Sequence, residues 1–371
     1  MTKYRVVPSG DEYLALITSE NNGVRSIHRL GEYATGAQAK EAIEERTGRV
    51  EWTQSGSMQE YDDAAIVPYK ADLSSVGRRE PDGARALDFT AAVLDYYAAW
   101  EDPLEVKAVA AWIGHTWFDE AGRGANGGNG VLAFNATPRL MLIGEVGSGK
   151  SRKETLIRSM VRNPTGRVSG VVTSYGVRNA LSKGQVVILD EAQRIFSGGY
   201  RREDLQGIIA GGYVFDGVSL NGRKGEGEQS IFGPVCLAAQ PRILDQTGDM
   251  LEDLFTRAFL IFCEKHEEEI PDLDDVFTHR AGIARRELAL WAAAERTGEK
   301  LWNVHTIPGI LKARDREITI PLLAVADRAV TPGDERDIRW AVLVREAAVQ
   351  LLTGSSRQQG DVSAELESMI T

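Results

Sequence analysis

The chain has 371 residues, of which 43% are hydrophobic and 26% are charged, so it can bury a substantial core and is not a disordered protein. Its formal net charge of −11 excludes a chain-wide attraction to DNA, RNA or an anionic membrane, and any nucleic-acid contact must be local. Cys236 and Cys263 lie in short apolar runs, which predicts buried free thiols rather than a disulfide framework. The sequence shows neither a secretory leader nor an apolar run of membrane-spanning length, so we expect a soluble cytoplasmic protein.

The first part of the chain predicts a small α+β module over residues 1–55. Apolar and polar residues alternate over 3–30 with two turn signals, which predicts two or three short antiparallel strands. A helix should follow, since Thr35 can cap its start and Gly48 can end it. Residues 56–84 are polar and rich in Gly, Asp and Ser, which is typical of a linker.

The rest of the chain predicts an α/β core between helical segments. Residues 85–136 contain two helical patterns and a glycine-dense loop, and we interpret them as a helical collar. Over 137–265, short β runs alternate with helical runs, which predicts a parallel sheet with crossover helices. Residues 266–371 are helical in pattern and predict a helical lid with further C-terminal helices.

A phosphate-binding loop is the strongest motif. The stretch "MLIGEVGSGKS" at 141–151 has the G-x-x-x-x-G-K-[ST] spacing between a predicted strand and a predicted helix. Backbone N–H groups of such a loop can face phosphates, Lys150 can reach the β- and γ-phosphates, and the Ser151 hydroxyl can ligate Mg²⁺. The sequence thus predicts ATP and Mg²⁺ as cofactors. The predicted nucleotide-contacting residues are Gly144, Glu145, Val146, Gly147, Ser148, Gly149, Lys150, Ser151 and Arg152.

An acidic pair follows a second buried strand in "VVILDEAQR". Asp190 is expected to hold the magnesium ion through its water shell, and Glu191 to orient and deprotonate an attacking water. An extra strand, "VSGVVT", fits between the two motifs, and an intervening strand is expected of the additional-strand class of P-loop ATPases, which includes AAA+ proteins. Glu191 favours hydrolysis over phosphoryl transfer to a metabolite.

Two polar residues beside later strands are further candidates. Gln240 ends the predicted strand "GPVCLAA", where it could contact the γ-phosphate as a sensor 1 residue or merely begin a turn. Arg257 precedes the strand "AFLIFC", the place where AAA+ rings present an arginine finger to a neighbouring subunit. The alternative for Arg257 is a surface ion pair with Glu252 or Asp253.

A β-hairpin is predicted before the "GPVCLAA" strand, with Arg223 and Lys224 near its tip. In ring ATPases of this class, such a hairpin projects into the central pore and can grip a phosphate backbone. The alternative is a plain solvated hairpin, which the nearby Glu226 and Glu228 favour by weakening its basic character.

Over about residues 87–350 the chain resembles a family of uncharacterised P-loop ATPases of phages and mobile elements, whose domain often follows primase or replicative-helicase modules. The resemblance is carried by "AAWIGHTWF", "TPRLMLIGEVGSGKSR", "VVILDEAQ", "LQGIIAGGYVFDGVSLNG", "FGPVCLAAQPR", "LEDLFTRAFLIF" and "PLLAVADRA". It implies nucleotide-site roles for Lys150, Ser151, Asp190, Glu191 and Arg257, and a setting in DNA replication or transfer. The family's Gly-x-Gly-Arg pattern is replaced by Ala-Gln-Pro-Arg at 239–242, which puts the role of Gln240 in doubt.

Together these features predict an α/β P-loop NTPase of the additional-strand, AAA+-like type, with a parallel sheet, flanking helices, a helical lid and a small N-terminal α+β module. The expected activity is Mg²⁺-dependent ATP hydrolysis by a homo-oligomer such as a hexameric ring in a bacterial host cell. It would act on DNA as a motor or helicase, or load or remodel a replication protein. The alternatives are a nucleotide-gated switch whose protein partner binds residues 1–55, and a P-loop kinase.

Overall fold

The computed structural model describes two compact units of the chain, Met1–Glu80 and Pro81–Thr371. The first unit contains β1 (Thr2–Ser9), β2 (Glu12–Asn21) and β3 (Val24–Tyr33). The described residues are 2–9, 12–21, 24–33, 38, 82–118, 134–166, 172–196, 203–220, 228–244, 253–267, 269–295, 306–334 and 337–353. Among them no helix has both the length and the apolar character needed to cross a membrane.

The three strands of the first unit form an antiparallel sheet in the order β1-β2-β3. They agree with the strands predicted from the alternating pattern and its turn signals. The helix predicted to follow lies, apart from Gln38, outside the described residues.

The second unit is an α/β structure built on a four-stranded parallel sheet, as the alternation of β and helical runs predicts. Its strands are β4 (Arg139–Gly144), β5 (Val187–Leu189), β6 (Val218–Leu220), β7 (Glu228–Ser230), β8 (Val235–Ala239) and β9 (Ala258–Cys263). The parallel sheet has the order β5-β8-β4-β9, and β6 pairs with β7 in a separate antiparallel hairpin. Every residue of β4, β5 and β8 is buried, as expected of parallel strands covered on both faces.

Helices flank this sheet in the second unit. They are α1 (Gly83–Tyr97), α2 (Pro103–Phe118), α3 (Lys150–Met160), α4 (Ser174–Ser182), α5 (Gln193–Phe196), α6 (Glu203–Gly211), α7 (Asp275–Ala294), α8 (Arg314–Arg328) and α9 (Arg339–Thr353). Of the predicted strand "VSGVVT", residues 168–171 lie outside the described residues. Thr173 caps α4 instead, since its side chain accepts a hydrogen bond from the Gly176 N–H at 3.1 Å.

The helices before and after the α/β core pack together into one helical layer, which comprises α1, α2, α7, α8 and α9. Asp82 and Asp274 cap α1 and α7 by accepting backbone N–H groups at 2.8 and 2.9 Å. α1 and α7 meet so closely that a Cβ atom on Gly83 would lie 2.5 Å from the Trp291 ring. Both helices also contact α3, so the layer reaches the helix that follows the phosphate loop.

A buried histidine fixes the start of β4 against α2. His115 Nδ1 donates to the Trp112 carbonyl, and Nε2 accepts from the Thr137 hydroxyl at 2.8 Å. Burial lowers the pKa of His115 to about 4, so the ring is neutral near pH 7. The Trp112 indole donates to the Pro138 carbonyl at 2.8 Å, which holds the same segment.

Candidate functional site

The predicted phosphate loop connects β4 to α3 in a conformation that requires glycine. Gly147 and Gly149 have φ values of 84° and 80°, in the left-handed region that favours glycine. A Cβ atom on Gly144 would lie 2.3 Å from the Cys263 carbonyl oxygen and 2.4 Å from Ser148 Oγ, so no side chain fits there. The motif spacing therefore reflects steric needs of this loop, and the loop turns directly into the first residue of α3.

The Lys150 ammonium lies over the loop. It donates to the carbonyls of Gly144 and Glu145 at 2.5 and 2.6 Å, with Ser148 Oγ at 3.3 Å. Burial lowers the pKa of Lys150, and the nearby Cys263, Asp190 and Glu145 side chains oppose that shift. The cation is therefore held beside the loop, where an anion bound by the loop would meet it.

The other predicted nucleotide contacts divide into two groups. Glu145, Val146 and Ser151 are exposed at the loop and the first turn of α3, and the capping residue Gly149 offers no side chain to the helix N-terminus. Such an uncapped N-terminus can accept an anion. The Arg152 guanidinium is directed away from the loop, because it donates to the carbonyls of Pro271 and Tyr97 at 2.6 and 3.4 Å.

The acidic pair lies at the same edge of the sheet as the phosphate loop. β4, β8 and β5 are parallel, and their registers pair Ile143 with Ala239 and Leu189 with Leu237, so their carboxyl ends meet. Asp190 follows β5 directly, and its charge reaches Lys150 strongly enough to influence the lysine's pKa. β8 lies between the strand of the loop and the strand of the acidic pair.

Glu191 adopts a backbone conformation that is unusual for a residue with a side chain. Its φ is 56°, and its N–H donates to Asp190 Oδ1 at 2.8 Å. Its carboxylate forms an ion pair with Arg194 at 3.0 Å, three residues further on. Left-handed non-glycine residues cluster at functional sites, because the rest of the structure must hold them there.

Two residues at this edge were not singled out from the sequence. The Gln193 side chain is buried, and its Oε1 accepts the Gln240 N–H at 3.0 Å, which ties the end of β8 to the acidic segment. Arg194 is the ion-pair partner of Glu191. Arg194 could have been found from its spacing of three from Glu191, whereas no local signal distinguishes Gln193.

Arg257 lies at the opposite edge of the sheet from the phosphate loop. It precedes β9, whose register pairs Ala258 with the start of β4, so roughly 17 Å of strand separates it from Gly144. Its guanidinium donates to the Ala210 carbonyl at 2.7 Å and to Asp253 at 2.6 Å. It also stacks on the Tyr213 ring at 4.5 Å, and only 12% of the side chain is exposed. The structure thus contains the ion pair with Asp253, and Arg257 does not reach the loop of its own chain.

The hairpin predicted before β8 is present as β6 and β7, which pair antiparallel. Arg223 and Lys224, the residues predicted to contact nucleic acid, lie outside the described residues.

A buried charged cluster lies behind the phosphate loop, between α3 and the start of α2. Lys153 is 2% exposed, and its ammonium stacks on the Trp100 ring at 4.5 Å. Glu105 is 5% exposed and accepts the Glu101 N–H at 3.3 Å. Burial raises the pKa of Glu105 to about 7, although the positive charge of Lys153 opposes the shift.

A crevice opens beside the phosphate loop at the carboxyl edge of the sheet, with a volume of about 470 Å³. Its walls come from the ends of β4 and β9, from the start of the loop and from the turn after β8. The lining residues are Ile143, Gly144, Glu145, Ser148, Pro241, Phe262, Cys263, Glu264 and Lys265.

No protein-family model matches this chain, and no curated protein is significantly similar to it. What the site does must therefore be inferred from its own residues.

We expect the contribution of Glu105 to the free energy of unfolding to fall as the pH rises from about 4.5 to about 7, because Glu105 keeps its proton in the folded state and loses it in the unfolded state over that range. His115, whose pKa is lowered, contributes with the opposite sign, so the comparison with a Glu105 variant isolates the effect. Glu105→Gln should remove the contribution of Glu105. The difference in free energy of unfolding between wild type and Glu105→Gln should therefore change by on the order of 2 kcal/mol between pH 4.5 and pH 7. Urea unfolding at several pH values measures this.

The exposed Glu203 provides the matched control, and Glu203→Gln should leave the pH dependence of unfolding unchanged. A difference in free energy of unfolding between wild type and Glu105→Gln that stays constant from pH 4.5 to pH 8 would contradict the raised pKa of Glu105.

Proposed function

We propose that the chain is a Mg²⁺-dependent ATP hydrolase of the additional-strand P-loop class, with an AAA+-like core. The observation that carries this proposal is the meeting of the Lys150 loop and the Asp190–Glu191 pair at one edge of the sheet, with β8 between their strands. In this class a further strand is expected to separate the strand of the loop from the strand of the acidic pair, and here β8 does so within the sheet, although it follows both motifs in the chain and is not the predicted segment "VSGVVT". The resemblance to phage and mobile-element ATPases agrees with it.

Different residues of the proposed site bind different parts of ATP and its metal ion. The N–H groups at the uncapped start of α3 face the phosphates, and Lys150 exchanges its loop carbonyls for oxygens of the β- and γ-phosphates. Ser151 would ligate Mg²⁺, and Asp190 would hold the ion through its water shell, since Mg²⁺ prefers a few oxygen ligands together with water and substrate phosphates. The bound ion would neutralise charge on the phosphates.

Hydrolysis is assigned to Glu191, and Gln240 is assigned the sensor contact with the γ-phosphate or the attacking water. Glu191 follows Asp190 at the edge where the γ-phosphate would lie, and its carboxylate can accept a proton from water once it leaves Arg194. Gln193 acts as a positioning residue, because its buried side chain fixes the backbone of Gln240 relative to the acidic segment.

Lys150→Ala should weaken ATP binding by about 10-fold or more, since charge-assisted hydrogen bonds to phosphate are lost.

Glu191→Gln should bind ATP normally but hydrolyse it about 100-fold more slowly or worse, since a general base is removed. Phosphate release and equilibrium binding of ATP measure the two effects separately. The exposed Lys183 supplies the control variant Lys183→Ala, which should match wild type. Normal turnover in Glu191→Gln would overturn the assignment of the base.

An oligomeric working form follows if Arg257 acts on a nucleotide. Because Arg257 lies at the edge opposite the loop of its own chain, any phosphate that it contacts must be bound by another copy. To do so, its guanidinium must exchange Asp253 for that phosphate. We therefore place Arg257 in the proposed site as a residue supplied in trans, in a homo-oligomer such as a hexameric ring.

Arg257→Ala should bind ATP normally but lose about 1,000-fold or more in hydrolysis, the scale of an arginine finger. Asp253→Ala is the control, because it removes the ion pair and keeps the arginine. Mixing Arg257→Ala with Lys150→Ala subunits should restore part of the activity, since one supplies the intact loop and the other the arginine. Full hydrolysis by Arg257→Ala alone would end the idea of a shared site.

We propose that the protein acts in phage or mobile-element DNA metabolism, either as a DNA motor or helicase or as a loader or remodeller of a replication protein. This proposed task rests on the resemblance. The net charge of −11 favours a second candidate, a nucleotide-gated switch directed at a protein. ATP turnover with and without single- and double-stranded DNA, at two salt concentrations, distinguishes them. We expect DNA to stimulate ATP turnover, and to do so less at the higher salt concentration. ATP turnover that does not change with DNA would favour the switch.

A further inference from the structure

The crevice beside the phosphate loop is continuous with the loop itself. Gly144, Glu145 and Ser148 belong to both, so a ligand held by the loop borders the crevice directly. Its volume of about 470 Å³ lies within the range typical of small-molecule sites. It also lies beyond the carboxyl ends of parallel strands, where ligands of α/β folds usually bind.

Phe262 gives this crevice an aromatic wall. The ring is 48% exposed, whereas its neighbours Ile261 and Cys263 in β9 are 0% and 4% exposed. An apolar ring left in water at the mouth of a crevice favours contact with an apolar or flat partner. Ile143 and Pro241 line the same crevice, so the surface around the ring is apolar as well.

Lys265 joins the crevice to the tip of the loop. Its Cε atom lies 3.6 Å from the position that a Cβ atom would occupy on Gly147, so its side chain passes over the loop. The charged residues that line the crevice are thus Lys265, Glu145 and Glu264. An apolar wall that adjoins the phosphate loop matches a ligand with one flat part and one anionic part.

On the basis of the proposed function, we propose that this crevice receives the base and ribose of the nucleotide whose phosphates the loop holds. Phe262 stacks on the base, and Lys265 donates to a phosphate oxygen at the loop tip. The carboxylates of Glu145 and Glu264 are placed to accept hydrogen bonds from ribose hydroxyl groups. Phe262 contributes affinity for the nucleoside only, and Lys265 contributes affinity for the phosphate chain.

The test compares ATP with inorganic tripolyphosphate, which has the phosphates without the nucleoside, by equilibrium binding to the full chain in Mg²⁺. Phe262→Ala should weaken ATP binding by about tenfold, the scale of base–aromatic stacking, and leave tripolyphosphate binding unchanged. Phe262→Trp should restore ATP affinity because it restores a stacking surface. Lys265→Ala should weaken the binding of both ligands.

Phe215 supplies the matched control, because it is 45% exposed and does not line the crevice. Phe215→Ala should bind both ligands as wild type does, and thermal unfolding checks that each variant is folded. Equal ATP affinity of wild type and Phe262→Ala, with tripolyphosphate bound by both, would overturn the crevice proposal and leave the phosphate loop standing. Failure of the wild type to bind either ligand would overturn the proposed function itself, and the crevice proposal with it.

Discussion

The parallel pairing of β4 with β8 on one side and β9 on the other is the constraint on which the rest of the second unit depends. Parallel strands direct all their carboxyl ends to one edge, so segments far apart in sequence meet there. They also require long crossover connections, whose helices cover both faces of the sheet and shield the strands from water. One hydrogen-bonding pattern therefore accounts for both the apolar strands and the polar edge where the loop and the acidic pair meet.

The same pairing places two groups of polar residues at opposite edges of the sheet, one strand length apart. The carboxyl edge holds Lys150, Asp190 and Glu191, to which the proposed function assigns phosphate binding and water activation. The amino edge holds Arg257 and Tyr213, in a cation–aromatic contact stabilised by an ion pair. Residues at both edges belong to short segments beside strands, where the backbone is fixed by the sheet and the side chains remain available.

Local signals in the sequence were sufficient for the parts of the site that depend on neighbouring residues. The loop was predictable because a strand, a glycine-rich turn and a helix must follow one another, and Asp190 because an acidic residue follows a short apolar run. The hairpin of β6 and β7 and the parallel sheet were predictable from alternation and turn residues. Each of these features extends over a few residues and leaves a pattern in the chain.

Features built from distant segments left no such pattern. Nothing local indicates that Gln193 accepts the N–H of Gln240, 47 residues away, or that the helices on both sides of the core form one layer. The crevice likewise draws its walls from three separate segments. The sequence suggested Arg152 as a nucleotide contact because it adjoins the motif, whereas the helical turn directs its side chain toward Tyr97 and Pro271.

The contacts of Arg152 have a thermodynamic consequence for the whole unit. The first turn of α3 is bonded to the end of α1 and to the segment before α7, while Glu101 accepts hydrogen bonds from His266 and the Glu264 N–H across the same junction. A ligand that shifts this turn must also work against the helical layer. Linkage is reciprocal, so under the proposed function any partner that docks on the layer and moves it would change the affinity for the nucleotide by the same factor by which the nucleotide changes the affinity for that partner.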